Sequence, residues 1–164
     1  MDIYILRHGK AEESTPEGGD AARRLTTKGS EEILSVGLFL AAQDLEFDLI
    51  AASPLARAQE TAAIIAGVLK YKKKPASWNV LVPGGEPDAV CHEISRHGKP
   101  SAILLVGHEP LLSSLISRII AGTEDAGIAM TKGGLAKIRD VSFTQRPSGE
   151  LHWLLTAKQM TLRK

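Results

Sequence analysis

The chain has 164 residues, a length that fits one domain with a hydrophobic core of its own. Its 20 basic and 19 acidic residues leave a formal charge of +1, which gives no reason to expect nucleic acid or a membrane as partner. The single cysteine, Cys91, excludes an internal disulfide, and because no secretory leader or long apolar stretch is present, we expect a cytoplasmic protein.

Short apolar runs alternate with helical patterns from the start of the chain. Residues 3–6 are unbroken and β-rich, which is typical of a strand buried on both faces. Residues 10–25 are polar and predict a long loop. Thr26 or Thr27 is predicted to cap a first helix, with the pair Glu31-Glu32 in its first turn. The side chains expected on its apolar face are Ile33, Gly37 and Leu40, with Leu34, Leu38 and Ala41 beside them.

The rest of the chain continues this alternation of strand and helix patterns. In order, we predict a strand at 47–52, a helix capped by Ser53 and opened by Pro54, a short strand at 80–82, a helix over 87–97, a strand at 101–106, a helix opened by Pro110, and an antiparallel pair at 135–141 and 151–156. The pattern predicts an α/β fold, a three-layer α/β/α sandwich around a mostly parallel mixed sheet.

Three turns that follow buried strands carry a histidine or an arginine. The first holds Arg7 and His8, the second holds Arg57 in the first turn of its helix, and the third holds His108. In open α/β sheets, ligands bind outside the carboxyl ends of the strands. Two of these turns also open helices, whose free N–H groups and dipole favour an anion. The sequence therefore predicts a phosphate site that contains a candidate nucleophile.

The tripeptide Arg-His-Gly is weak evidence alone, because the chain contains it twice. The second copy, Arg96-His97-Gly98, follows a helical pattern, and Gly98 and Pro100 are helix stop signals. We expect His97 to be an exposed residue at a helix end. Each arginine and histidine of the three turns also has an ordinary structural explanation, and only the agreement of the turns favours a site.

A metal site is the competing interpretation of His8 and His108. The sequence offers few further ligands, since it has no HExxH motif, no paired cysteines and no close Asp-x-Asp. Arginines in the same turns would also repel a cation. We therefore expect neither a metal nor another cofactor.

Four segments occur in one order over the first two-thirds of the chain. They are Leu6-Arg7-His8-Gly9, Leu25-Thr26-Thr27-Lys28-Gly29, Ala52-Ser53-Pro54-Leu55-Ala56-Arg57-Ala58-Gln59-Glu60-Thr61-Ala62 and Val106-Gly107-His108-Glu109-Pro110. Together they resemble the histidine phosphatase superfamily, with its phosphoglycerate-mutase-like fold. The short length and the Pro83-Gly84-Gly85 turn resemble its small SixA-type branch, whose substrate is phosphohistidine in signalling proteins.

The resemblance implies one histidine phosphatase domain over residues 1–164 and a role for each residue of the three turns. His8 would accept the phosphoryl group in a phosphohistidine intermediate. Arg7 and Arg57 would bind the phosphoryl oxygens, and His108 would complete the pocket.

The general acid of larger relatives has no clear counterpart in this chain. Those relatives place a Glu or Asp after the third strand, where this sequence offers Glu86 and, as a weaker candidate, Asp88. Glu86 is equally compatible with capping the helix that begins at Pro87. An imidazole leaving group needs a proton much less than an alkoxide does, because its own pKa is about 6.5. A weak acid position therefore favours phosphohistidine as the substrate.

The sequence predicts a metal-independent phosphatase whose partner is a phosphorylated histidine phosphotransfer domain. One alternative is a phosphomonoesterase of the same superfamily that acts on a small phosphorylated substrate, a sugar phosphate or a nucleotide. Another is a catalytically inactive module that binds phosphoproteins. We expect no nucleic-acid or membrane partner, and a monomer is compatible with the sequence.

Overall fold

The computed structural model describes residues 1–13 and 17–161, and these residues form six strands and five α-helices around one sheet. The strands are β1 (Asp2–Arg7), β2 (Leu49–Ala52), β3 (Ala76–Ser77), β4 (Ala102–Gly107), β5 (Leu135–Ser142) and β6 (Ser148–Leu155). The helices are α1 (Thr27–Ala41), α2 (Ala56–Val68), α3 (Pro87–Ser95), α4 (Leu111–Ala121) and α5 (Ala157–Met160). None of the described helices is long and apolar enough to cross a membrane.

The strand order β3-β2-β4-β1-β5-β6 places the three predicted turns next to one another. The first four strands are parallel neighbours, while β5 is antiparallel to β1 and β6 to β5. Arg7 at the end of β1 pairs with Gly107 at the end of β4, and Ala52 of β2 pairs with Val106. Three carboxyl ends therefore meet at one edge, where a ligand is expected in such a sheet.

Two apolar clusters lie on opposite faces of the sheet. One contains buried side chains of α3 and α4, and the other contains those of α1, α2 and α5. The strands contribute alternate residues to the two clusters, so Ile3 and Ile5 face one cluster while Tyr4 and Leu6 face the other. This arrangement confirms the predicted three-layer α/β/α sandwich with a mostly parallel mixed sheet.

Helix α1 begins as the sequence predicts and buries the predicted face of Ile33, Gly37 and Leu40, but the leucines expected beside that face are exposed. The Thr26 hydroxyl caps it by accepting a hydrogen bond from the Gly29 N–H, whereas Glu31 and Glu32 lie beyond its first turn. Leu34 and Leu38 are 47% and 50% exposed. The prediction placed these leucines beside the apolar face, but the spacing i, i+3, i+4, i+7 adds Val36 to that face instead. The buried residues of that face are Ile33, Val36, Gly37 and Leu40.

Two predictions for the middle of the chain are wrong. Ser53 does not cap α2, because the N-cap is Leu55 and the Ser53 hydroxyl instead accepts a hydrogen bond from the Leu55 N–H inside the preceding turn. The segment 80–82 is not a strand. Its chain closes a 3-10 turn over Asn79–Leu81, in which the Leu81 N–H donates to the Trp78 carbonyl. The third strand is the short Ala76–Ser77 instead.

The predicted loop 10–25 contains a little regular structure. A 3-10 turn spans Asp20–Ala22, and Ala11 forms an isolated bridge with Leu25. Residues 14–16 of this loop lie outside the described residues. The backbone of Gly29 lies close against that of Lys10. A Cβ atom on Gly29 would lie 2.1 Å from the Lys10 carbonyl oxygen. Only glycine therefore lets α1 begin against the turn that follows β1.

Candidate active site

His8 follows β1 directly and is almost completely buried. Its Nδ1 atom lies 2.7 Å from the carbonyl oxygen of Gly9. A carbonyl oxygen can only accept a hydrogen bond, so Nδ1 carries the proton and donates it. The Nε2 atom of the neutral ring then carries no proton and has a lone pair, which is what a nucleophilic imidazole needs.

Arg57, in the first turn of α2, directs its guanidinium at His8. Its Nε donates to His8 Nε2 at 3.3 Å, and its Nη1 and Nη2 donate to the Asp20 carbonyl and to Asp20 Oδ2 at 2.9 and 3.1 Å. One helical turn further, the Thr61 hydroxyl donates to the Arg57 carbonyl and accepts a hydrogen bond from the Gly9 N–H. Thr61 thereby fixes the start of α2 to the turn that holds His8.

His108 and Arg7 present buried polar atoms without partners. The ring of His108 lies 4.9 Å from the ring of His8, centroid to centroid. Neither ring nitrogen of His108 has a hydrogen-bond partner among the described residues, nor has Nε of Arg7, although Arg7 Nη1 donates to the Met130 carbonyl. A buried unpaired polar group costs about 1–3 kcal/mol. Three such atoms beside His8 indicate a polar ligand that would pair with them.

Both histidines are neutral at physiological pH. Burial, which disfavours the charged ring, acts together with the positive charges of Arg57 and Arg7 to lower the pKa of His8 to about 4. Burial likewise lowers the pKa of His108 to about 3, with added contributions from His8 and Arg57. The site therefore keeps the His8 ring uncharged next to fixed positive charge.

We expect an NMR titration of the imidazole nitrogens to show His8 and His108 still neutral at pH 5. In the unfolded chain all histidines protonate near pH 6.5, so the unfolded state binds more protons between that pH and about 4. Stability should therefore fall as the pH falls through this window. A midpoint near 6.5 for His8 would contradict the account.

The surroundings of His8 carry mostly positive charge. Arg7, Arg57 and the exposed Lys132 all act electrostatically on His8. The carboxylate hydrogen-bonded into this cluster is that of Asp20, whose pKa is lowered first by Arg23 and then by Arg57. No group of three metal-binding side chains occurs in the described part of the chain.

The structure brings together Arg7, His8, Arg57 and His108, and Glu86 lies at the start of α3. Glu86 is the exposed N-cap of α3, and its side chain makes no capping hydrogen bond. Glu86 therefore occupies the capping position that the sequence allowed, without a hydrogen bond from its side chain to the helix. No hydrogen bond or ion pair joins Glu86 to the two histidines within the described residues.

The sequence also predicted an exposed His97 at a helix end and free N–H groups at the start of the helix after His108. His97 follows α3, pairs with Glu93 and stacks on Trp78, so it lies at a helix end as predicted. The amino end of α4 does not offer all its N–H groups to an anion. The Glu109 carboxylate already accepts the hydrogen bond of the Ser113 N–H.

Sequence reasoning missed Asp20, Lys132 and the structural role of Thr61. Thr61 lies four residues after Arg57, so the helical period could have placed both on one face. Asp20 and Arg57 are 37 residues apart, and nothing local in the sequence links a loop carboxylate to a helix.

Comparison with known proteins agrees with this geometry. Residues 3–78 match the histidine phosphatase superfamily (branch 1). The chain is 32% identical over 129 residues to the phosphohistidine phosphatase SixA homolog of Haemophilus influenzae. This alignment covers 73% of this chain and 77% of that protein. The chain belongs to the histidine phosphatase superfamily. Its similarity to phosphohistidine phosphatase SixA of Escherichia coli, at 25% identity, covers 100% of this chain and 99% of that protein.

Solved structures extend the likeness to the fold of this histidine phosphatase. The protein histidine phosphatase SixA, solved in complex with tungstate, superposes with a TM-score of 0.83 at 23% identity, over 96% of this chain and 98% of that one. The predicted phosphoglycerate-mutase-like fold and the SixA-type resemblance are thereby confirmed. The chain is a phosphatase of this superfamily.

Proposed function

We propose that this phosphatase hydrolyses phosphohistidine in a phosphotransfer protein and that His8 carries the phosphoryl group between two steps. The observation that carries the proposal is the placement of the His8 Nε2 lone pair among buried polar atoms that lack partners. The oxygens of a phosphoryl group would accept from Arg7 Nε and from a His108 N–H.

In the first step, His8 Nε2 attacks phosphorus and the bond from phosphorus to the substrate nitrogen breaks. The electron pair of that bond stays on the departing imidazole, which leaves as a neutral ring because its other nitrogen carries a proton. Negative charge spreads over the equatorial oxygens in the transition state, where the guanidiniums of Arg7 and Arg57 stabilise it. The phosphorylated His8 ring keeps its Nδ1 proton, and the Gly9 carbonyl that accepts it stabilises the resulting positive ring.

In the second step, water attacks the phosphorus of phosphorylated His8. The bond between phosphorus and Nε2 breaks, and its electron pair returns to the imidazole. One proton of the attacking water passes to a phosphoryl oxygen, so that orthophosphate leaves as H₂PO₄⁻ and the neutral ring is regenerated.

The ionised state of Asp20 supports phosphohistidine, rather than a phosphoester, as the substrate. Asp20, the carboxylate bonded to Arg57, is ionised because its pKa is lowered, so it has no proton to give an alkoxide. A departing imidazole needs that proton much less. The two relatives named as phosphohistidine phosphatases also support this substrate class.

A substrate panel tests this proposal. We expect kcat/KM on a phosphohistidine phosphotransfer protein to exceed that on phosphoserine peptides, sugar phosphates and nucleotides by on the order of 10² or more, the usual contribution of a general acid. Phosphate release would be followed continuously, and the uncatalysed loss from phosphohistidine would be subtracted.

The variant Glu86→Gln completes this panel, because it tests the acid role predicted from the sequence. An equal activity of this variant and the wild type on every substrate is expected if Glu86 gives no proton. Comparable kcat/KM on a sugar phosphate and on the phosphoprotein would instead favour the small-molecule phosphomonoesterase.

A further inference from the structure

We propose that the Asp20 carboxylate is an internal competitor for the phosphoryl group: it occupies Arg57 in the free enzyme, is displaced when phosphate binds, and returns as orthophosphate leaves. This inference rests on the proposed role of Arg57 in binding phosphoryl oxygens. It adds Asp20 to the site as a residue that sets the affinity for the anion.

The guanidinium of Arg57 has a partner on each of its nitrogens. Nε donates to His8 Nε2, while Nη1 and Nη2 both donate to Asp20. A bidentate phosphate needs two adjacent donors of this planar group. The bond to the Asp20 carboxylate is the exchangeable one, because that side chain is 56% exposed whereas the Arg57 side chain is only 5% exposed.

The charge of Asp20 matches that of the anion it would replace. Its pKa is lowered by the hydrogen bond from Arg23 and by Arg57, so the carboxylate is ionised at any pH at which the enzyme would work. A carboxylate and a phosphoryl group therefore compete for one cation. Their simultaneous binding would place two negative charges against the same guanidinium edge.

A second arginine lowers the free-energy cost of displacing the Asp20 carboxylate from Arg57. Arg23 Nη1 donates to Asp20 Oδ1 at 3.0 Å, and Arg23 Nε is itself fixed by the Glu12 carbonyl. The carboxylate that leaves Arg57 therefore keeps a charged partner. The exchange loses one ion-pair contact, between an exposed carboxylate and a buried guanidinium, and gains a doubly charged ligand.

The test is orthophosphate affinity, measured by calorimetry for the wild type, Asp20→Asn and Glu60→Gln. Asparagine keeps the shape and the acceptor oxygen of Asp20 but removes the charge. We expect Asp20→Asn to bind orthophosphate at least about fivefold more tightly, because the buried guanidinium gives this pair at least the upper value for an exposed one, with an equal fall in the inhibition constant of orthophosphate as product. If Asp20 only positioned Arg57, the variant would bind phosphate more weakly.

Glu60→Gln is the matched control. Glu60 lies on the same helix as Arg57, and it forms an ion pair with the exposed Arg24. We expect its orthophosphate affinity to equal that of the wild type. An equal gain in orthophosphate affinity in both variants would mean that only the net charge of the protein matters, which would overturn the inference. Unchanged or weaker orthophosphate binding in Asp20→Asn would overturn it as well.

Arg7→Ala separates this inference from the proposed function. We expect Arg7→Ala to abolish orthophosphate binding, because Arg7 is a proposed phosphate ligand that carries no bond to Asp20. Binding that survives this change would contradict the proposed site and the inference together. Loss of binding in Arg7→Ala with no gain in Asp20→Asn would leave the proposed function intact and overturn the role of Asp20.

Discussion

The variant His8→Ala is expected to lose turnover by on the order of 10⁴-fold or more, as enzymes do when their nucleophile is removed. Without the Nε2 lone pair no phosphorylated intermediate can form, although Arg7, Arg57 and His108 would still bind phosphate. Phosphate release from p-nitrophenyl phosphate and from a phosphohistidine protein measures the effect. Circular dichroism shows whether the variant is folded.

The chain supplies a control for this experiment in its second Arg-His-Gly tripeptide. His97 lies at the end of α3, where it pairs with Glu93, and it has no contact with the cluster around His8. We expect His97→Ala to retain the activity of the wild type. Substantial turnover by His8→Ala would contradict the mechanism.

The variant Arg57→Ala is expected to lose on the order of 10² or more in kcat/KM, the usual cost of removing one donor to a developing charge. Arg57 lies against the nucleophile, with Nε 3.3 Å from His8 Nε2, so it is placed to contact the transferred group. Arg57→Lys should restore little, because an ammonium cannot reproduce the planar pair of donors. The kcat/KM values of the wild type, Arg57→Ala and Arg57→Lys measure this loss and its lack of rescue.

Arg24→Ala is the matched control for Arg57→Ala. Its guanidinium is 72% exposed and also pairs with a carboxylate of this region, that of Glu60. We expect this variant to keep wild-type kcat/KM. A comparable loss in both variants would mean that the general positive field, rather than the contact with His8, determines the rate.

The sequence allowed the strand ends to be predicted because each buried strand is followed at once by its polar turn. Arg7 and His8 follow β1, and His108 follows β4, so the parallel pairing of these strands brings the two histidines together. This inference needs only the strand pattern and the rule that ligands bind at carboxyl ends. It does not depend on the exact limits of any helix.

The features that were not predicted depend on contacts between distant segments. Ser53-Pro54 has the pattern of a helix start, yet the Ser53 N–H bonds to the Val106 carbonyl and keeps the turn extended until Leu55. The Asp20 contact with Arg57 forms only because the loop after β1 returns over α2. Local patterns contain no information about such a return.

The most direct test of the account is to trap the covalent intermediate. Wild-type enzyme mixed with radiolabelled phosphohistidine protein and quenched within one turnover should carry phosphate that is labile in acid and stable in base, on the peptide that contains His8. His97→Ala should carry the same label, and His8→Ala none. Rapid phosphate release without any labelled enzyme, or label on another residue, would contradict the assignment of His8 as the phosphoryl acceptor.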